Sequence, residues 1–378
     1  MTFTSSSSEN DPAAGNRFSA VTEVLKDAIA AGAFPGCAFG ALAGGYVVLQ
    51  GALGRFTYAD DAPAVEPHTV YDVASVTKVA VTTALAMLLY QRGQLDLDMP
   101  LGDILPGFVV GRPAAEGARH VTLRHLLAHN SGLPGYVRLF ETVTSPAMLL
   151  RACLQLPLEA QPGTRTEYSD MGYILLGKAL EVLARTPLHS LAVRELFEPL
   201  GMRASCFNPR LADRSLIPPT ENDDALRHRI VQGEVQDENA WLLAGVAGHA
   251  GLFSNVPDLL RLAREILAAV SGALSLFTQQ TVEQFAKRQP PAGSSRALGW
   301  DTPSADSSAG NHFSMHSIGH LGYSGCSLWI DLDASVAAVL LTNRTWPSRE
   351  DQQIRAVRPA FHNALRQALA PPRSAALK

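Results

Sequence analysis

Ser75 and Lys78 stand three residues apart at the head of an apolar run, Val79 to Tyr90. On a helix this spacing puts both side chains on one face, a turn apart. The N-terminal end of a helix carries free backbone N–H groups and the positive end of the helix dipole. A serine there is placed to become an alkoxide, attack a carbonyl and leave an oxyanion facing N–H donors. A lysine beside it accepts the serine proton, or holds a positive charge that eases its loss. The run behind the pair is apolar on nearly every side and reads as a buried helix. A lysine at the head of such a helix is costly to desolvate, which itself argues for a chemical role.

Other reactive side chains have plainer readings. Tyr168 alone reads as a core tyrosine with a satisfied hydroxyl, and Asp170 as the cap of the helix that follows it. His125 and His129 are four apart on a helix, and His312, His316 and His320 recur every fourth residue. Neither set has further ligands at suitable spacing, so no metal and no other cofactor is expected. His249 lies in a glycine-rich stretch, Gly245 to Gly251, where it either lines a cleft or caps a turn. Ser324 is followed at once by Gly325, one position too early for a nucleophile elbow. Cys326 reads as a packing residue.

The elements that must position these groups belong to a well-folded globular chain. At 378 residues, 47% hydrophobic and 17% charged, it is long enough for two or three domains. The net charge of −4 gives no basic footprint for nucleic acid, and no apolar run reaches the length of a membrane span. The first residues, Met1-Thr2-Phe3-Thr4 and Ser5 to Ser8, do not read as a secretory signal, so a cytoplasmic protein with a disordered tail over 1–16 is expected. Cys37, Cys153, Cys206 and Cys326 are widely spaced and read as free thiols. Phe18 to Ala31 is an amphipathic helix. Cys37 to Leu42 and Tyr46 to Leu49 form a hairpin around Gly44-Gly45. Helices over Val79 to Tyr90, Met171 to Ala184 and Pro187 to Phe197 follow, then a long polar loop from Pro209 to Ala240. Ser254 is read as the cap of a helix running to about Val270. Leu298-Gly299-Trp300, Ser327 to Asp331 and Ser335 to Thr342 read as strands, and Gln352 to Leu369 as a final helix. With strands near both ends and helices between, the pattern predicts one mixed antiparallel sheet flanked by terminal helices, with an inserted all-helical domain.

Three stretches in order, Ser75-x-x-Lys78, Tyr168-Ser169-Asp170 and His320-Leu321-Gly322, resemble the three motifs of the penicillin-recognising serine hydrolases, and within them the class C β-lactamase-like branch. That branch also holds DD-peptidases, D-amino-acid peptidases and carboxylesterases. His125 to Leu133, Pro199-Leu200-Gly201-Met202, Ala250 to Ser254 and Leu341 to Arg344 look like it too. The resemblance implies that Ser75 is acylated, that Lys78 and Tyr168 share proton handling, and that the N–H groups of Ser75 and Tyr323 form an oxyanion hole. It implies that Gly322 opens a strand edge to substrate and that His320 holds a substrate carboxylate or assists proton transfer. As a base, Tyr168 would need its pKa depressed by Lys78.

Two departures stand out. Asp170 replaces the usual asparagine and would repel a substrate carbonyl or carboxylate unless Lys78 or a proton neutralises it. His320 replaces the lysine of class C β-lactamases. Both lean towards an esterase or peptidase acting on ester, amide or β-lactam bonds of a small molecule, with at most weak β-lactamase activity. The alternatives are a true class C-type β-lactamase or a non-catalytic penicillin-binding sensor. The expected division is 17–70 with 285–378 as an α/β sheet domain and 71–284 as a helical domain, with the active site at their junction. The sequence does not give the oligomeric state.

Overall fold

The computed structural model describes residues 17–113 and 117–370. The tail expected over 1–16 lies outside the described residues. Strands from the two chain ends make one five-stranded sheet. Its strands are β1 (Gly36–Ala43), β2 (Tyr46–Gly54), β3 (Ser317–Leu321), β4 (Ser327–Asp331) and β5 (Val336–Thr342). Their order is β2-β1-β5-β4-β3, and every pairing is antiparallel. Gly44 and Gly45, both with positive φ, turn the chain between β1 and β2 at little steric cost.

Successive strand residues point to opposite faces, and each face has its own cover. Phe39, Trp329, Ala338 and Leu340 pack with Val21 and Leu25 of helix α1 (Ser19–Ala30) and with Phe361 and Leu365 of the C-terminal helix (Ile354–Leu369). Ala38, Leu42, Ala337 and Val339 face the other way, into the main core, with Leu259, Leu260 and Ala263 of the helix Val256–Val270. The cap of that last helix is Asn255, whose side chain accepts the Asp258 N–H; Ser254, the expected cap, instead ends a short strand, Leu252–Ser254.

The helical part is built around Val79 to Tyr90. Its chain runs from a wide π turn, Lys78–Thr83, into an α-helix, Ala84–Gln91, and nearly every residue is buried. Single π turns recur at functional sites. The helix Asp170–Ala184 packs against it. Two other expectations need correction. Leu298 to Trp300 is a bend and not a strand, because Gly299 takes a positive φ and sits against Thr83. Pro209 to Ala240 is not a plain loop: it holds a 3-10 turn, a small hairpin (Glu221–Asp223 with Arg229–Val231) and the start of a short helix, Glu238–Leu242. These pieces are too short and polar to leave a periodic signal.

One close approach joins this frame to the site. Gly248 lies against Tyr173 and Gly177 of the Asp170–Ala184 helix; a Cβ on Gly248 would sit 2.1 Å from the Tyr173 carbonyl oxygen. Backbone cannot give way as a flexible side chain can. Gly248→Ala is therefore expected to lower stability by about 1–3 kcal/mol, as overpacking does, and urea unfolding checks it. A variant as stable as wild type would contradict the tight packing.

Candidate active site

The serine is held by a strained turn. Asp72 accepts the N–H groups of Ala74 and Gln236, each at 2.8 Å, and its carbonyl accepts the Ser324 hydroxyl at 2.8 Å. Burial pushes the Asp72 carboxyl up to about 6. Ala74 takes φ +47, a left-handed conformation that costs a non-glycine residue about 1–2 kcal/mol. The following 3-10 turn, Ala74–Val76, presents Ser75. Thr77 locks the turn by donating to Ala74 O at 2.6 Å and accepting from Leu252 N–H at 3.1 Å. Ser324, set aside as a nucleophile from the sequence, is a buried strut of this turn.

Lys78 is fully buried and uses all three ammonium donors. Nζ donates to Ser75 Oγ at 3.0 Å, to Asp170 Oδ1 at 2.6 Å and to the His249 carbonyl at 3.1 Å. Three oxygen partners around one nitrogen match the three donors of –NH₃⁺. Burial pulls its pKa down, but Asp170 and Tyr168 outweigh burial and hold it above the ordinary lysine value. Asp170 is thus neutralised by Lys78, one of the two ways its presence was reconciled with a carbonyl substrate. The cap of its helix is the Ser169 hydroxyl, which accepts the Gly172 N–H at 3.0 Å. His249, undecided from the sequence, supplies a carbonyl to Lys78 and anchors its ring on Asp237, 2.8 Å from Nε2.

Tyr168 stands beside both. Its hydroxyl interacts with Lys78 and Ser75, and its ring lies 4.9 Å from Lys78 Nζ. The expected depression of its pKa is reversed: burial pushes the phenol up, Lys78 pulls it down and Asp170 pushes it up again, so that it ends above the ordinary value. The positive charge meant to lower it is already compensated. Behind Tyr168 the ring of His129 lies between it and Tyr173, with centroids at 4.6 and 4.9 Å. His129 Nδ1 accepts the Ser169 N–H at 3.0 Å, which fixes the second motif. His129, weighed in the sequence as half of a possible metal pair and lying in the family-like stretch His125 to Leu133, is a support of Tyr168. His125 instead closes a capping box with Thr122.

His320 faces the same cleft, 5.8 Å from Tyr168 between ring centroids. It lies on β3, a strand the sequence reading left out: the third motif ends one strand, turns through Gly322–Cys326 and enters β4. Burial, then Lys78 and Arg296, hold His320 well below the ordinary histidine value. A neutral ring cannot grip a carboxylate as a cation. With Nδ1 donating to the Leu321 carbonyl at 2.8 Å, Nε2, which has no partner among the described residues, is left as an acceptor. Gly322, expected to leave a strand edge open to substrate, also has a packing use. A Cβ there would lie 2.4 Å from Val73 O, so glycine lets the motif close against the backbone leading to Ser75. Among the described residues, the N–H groups of Ser75 and Tyr323 donate to no other group. Cys326 is buried, its thiol pushed up to about 11 by burial, as a packing residue should be.

Ser75, Tyr168, His320, Gly322 and Tyr323 line one cavity of about 300 Å³. Arg296, Arg344, Arg355 and Arg358 line it too, and the sequence reading singled out none of them for the site. Arg296 stacks over the Tyr168 ring at 5.1 Å. Arg355 and Arg358 share the C-terminal helix, while Arg296 and Arg344 come from two other stretches, and no motif joins the four; only Arg344, inside Leu341-Thr342-Asn343-Arg344, lay in a stretch already marked for the family resemblance.

This architecture has known counterparts. The beta-lactamase family model matches residues 21–360, and the chain belongs to the beta-lactamase family. It is 30% identical over 357 residues to the N-acetylmuramyl-L-alanine amidase of Bacillus subtilis (strain 168), covering 86% of this chain and 80% of that protein. Among solved structures it is similar to EstCE1, described as a hydrolase with promiscuous acyltransferase activity, with TM-score 0.73, 22% identity and coverage of 93% and 100% of the two chains. It is also similar to the octameric penicillin-binding protein homologue of Pyrococcus abyssi, with TM-score 0.70, 20% identity and coverage of 91% and 76%. At these identities the two structures bear on the fold. The class of enzyme expected from the motifs, a serine hydrolase of esterase or peptidase type, agrees with the family and its members. Among the described residues no helix is long and apolar enough to cross a membrane.

Asp170 raises both Lys78 and Tyr168. Removing its charge must therefore ease proton loss from the pair. Asp170→Asn is expected to move the ascending limb of the kcat/KM profile, where the pair loses its proton, to lower pH by about one unit or more. A limb that stays in place or moves to higher pH would contradict the role given to Asp170.

Proposed function

We propose that this protein hydrolyses ester and amide bonds through an acyl-enzyme on Ser75. The observation that carries the reading is the buried Lys78 ammonium, shared between Ser75 Oγ, Asp170 and the His249 carbonyl. Once the Lys78–Tyr168 pair has lost one proton to solvent, it takes the Ser75 proton while Oγ bonds to the substrate carbonyl carbon and the carbonyl π bond breaks. The carbonyl oxygen becomes an oxyanion against the N–H groups of Ser75 and Tyr323. Collapse breaks the bond to the leaving group, which departs with the proton held by the pair. Water then attacks the acyl-enzyme, gives its proton to the same pair, and Ser75 leaves with that proton.

The cleft favours a substrate that carries a carboxylate. Arg296 and Arg355 have no carboxylate partner among the described residues, and Arg344 donates to carbonyl oxygens of Tyr323, Arg349 and Asp351. Asp301 is the one carboxylate side chain in the lining, and it accepts from Ser295. The name of the Bacillus subtilis relative supplies a first amide to try, the bond between an N-acetylmuramyl group and L-alanine. A β-lactam is a secondary substrate in this reading, since neutral His320 replaces the cationic lysine.

Intact-mass spectrometry with a nitrophenyl ester, followed alongside product release, tests the reading. The expected result is an acyl adduct that maps to Ser75, and loss of both adduct and turnover in Ser75→Ala. Turnover in Ser75→Ala within about tenfold of wild type would overturn it, because loss of the nucleophile removes the covalent route.

A further inference from the structure

Arg358 lies on the first turns of the C-terminal helix and is buried, yet no carboxylate answers its charge among the described residues. Its guanidinium is spent on three main-chain carbonyls. Nη2 donates to Gly322 O at 2.6 Å and to Cys326 O at 3.0 Å, and Nε donates to Gly325 O at 3.2 Å. Burial lowers its pKa, but only to about 10, so the cation is retained at neutral pH. Desolvating a guanidinium without a counter-charge is expensive, and a neutral donor would serve merely to tie a helix to a turn.

The identity of the nearest carbonyl matters. Gly322 C=O and Tyr323 N–H are the two ends of one peptide group. A cation donating to the oxygen draws electron density through the conjugated amide and makes the N–H at the other end a stronger donor. That N–H has no partner among the described residues, and Tyr323 lines the Ser75 cavity. Gly322 O also accepts the Gly325 N–H at 3.0 Å, which fixes the same peptide from a second side. Arg344 donates to the Tyr323 carbonyl, the next peptide along, at 2.8 Å.

We propose that Arg358 is a positioning and polarising residue of the oxyanion hole, acting through the Gly322–Tyr323 peptide and touching no substrate. The inference rests on the acyl-enzyme reading above, in which Tyr323 N–H receives the oxyanion. No bond is made or broken by Arg358. Its charge favours the tetrahedral state over the bound ester because the negative charge develops only there.

The test compares Arg358→Lys, which keeps a cation, with Arg358→Gln, which keeps an N–H donor without one. Two readouts are taken: ester hydrolysis, and inhibition by an arylboronic acid, which adds Ser75 Oγ to boron and mimics the tetrahedral state. Arg358→Gln is expected to lose about tenfold or more in kcat with KM within about threefold, and to bind the boronate more weakly by a similar factor. Arg358→Lys should retain more of both. Equal kcat in the two variants would overturn the proposal, as would a loss of kcat with boronate affinity unchanged, which marks a structural role. If Arg358→Gln does not fold, Arg358→Met takes its place under the same criteria. Wild-type protein with no ester turnover and no boronate inhibition would instead overturn the acyl-enzyme reading, and this inference with it.

Discussion

A single ammonium, buried and triply bonded, sets the arrangement of the candidate site. Lys78 comes from the wide turn heading the central helix, Asp170 from the head of the Asp170–Ala184 helix, and the His249 carbonyl from the glycine-rich stretch before Leu252–Ser254. Each segment would leave an unsatisfied charge or donor if the others moved. Removing one partner of a buried ion pair typically costs about 3–5 kcal/mol, so the three segments are held in register by the same interaction that touches Ser75. The close approach of Gly248 to Tyr173 and Gly177 is what brings the His249 carbonyl within reach.

That interaction also decides how protons are stored. Asp170 stabilises positive charge on Lys78 and opposes negative charge on Tyr168. The resting state is therefore ammonium and phenol, and the basic form has to be reached by losing a proton from the pair. Asparagine at the same position would relax this constraint. Across the cleft the sign of the field changes: four arginines line the wall near the third motif, with Asp301 as the sole acidic side chain in the lining. The strained Ala74, the closed Gly322 and the polarised Gly322–Tyr323 peptide belong to one design, in which N–H donors are fixed before charge develops.

Much of this was legible from residue types and spacing. A spacing of three between Ser75 and Lys78 sufficed to make them neighbours, even though the local backbone is a 3-10 turn followed by a π turn and not a regular helix. The continuous apolar runs Cys37 to Leu42 and Ser335 to Thr342 were legible as strands because both faces of the sheet are covered by apolar helices. β3 escaped notice because Ser317-Ile318-Gly319-His320-Leu321 is short and carries a glycine at its centre, where Trp329 packs over it. The Tyr168 shift was not legible, since its direction depends on how far Asp170 cancels Lys78 and how deeply the hydroxyl end is enclosed. Arg358 was beyond reach for a similar reason: its partners, Gly322, Gly325 and Cys326, lie more than thirty residues away, and main-chain carbonyls leave no mark on a sequence.

The protonation state of Lys78 is the claim on which the rest turns. It can be read by NMR on protein labelled with ¹⁵N-lysine, with the Lys78 Nζ signal assigned by its absence in Lys78→Arg. The account predicts an ammonium signal that persists through neutral pH and titrates above the ordinary lysine value of about 10.4. A Lys78 that is already a neutral amine at neutral pH would contradict it, since the ion pair with Asp170 and the raised Tyr168 would both be lost.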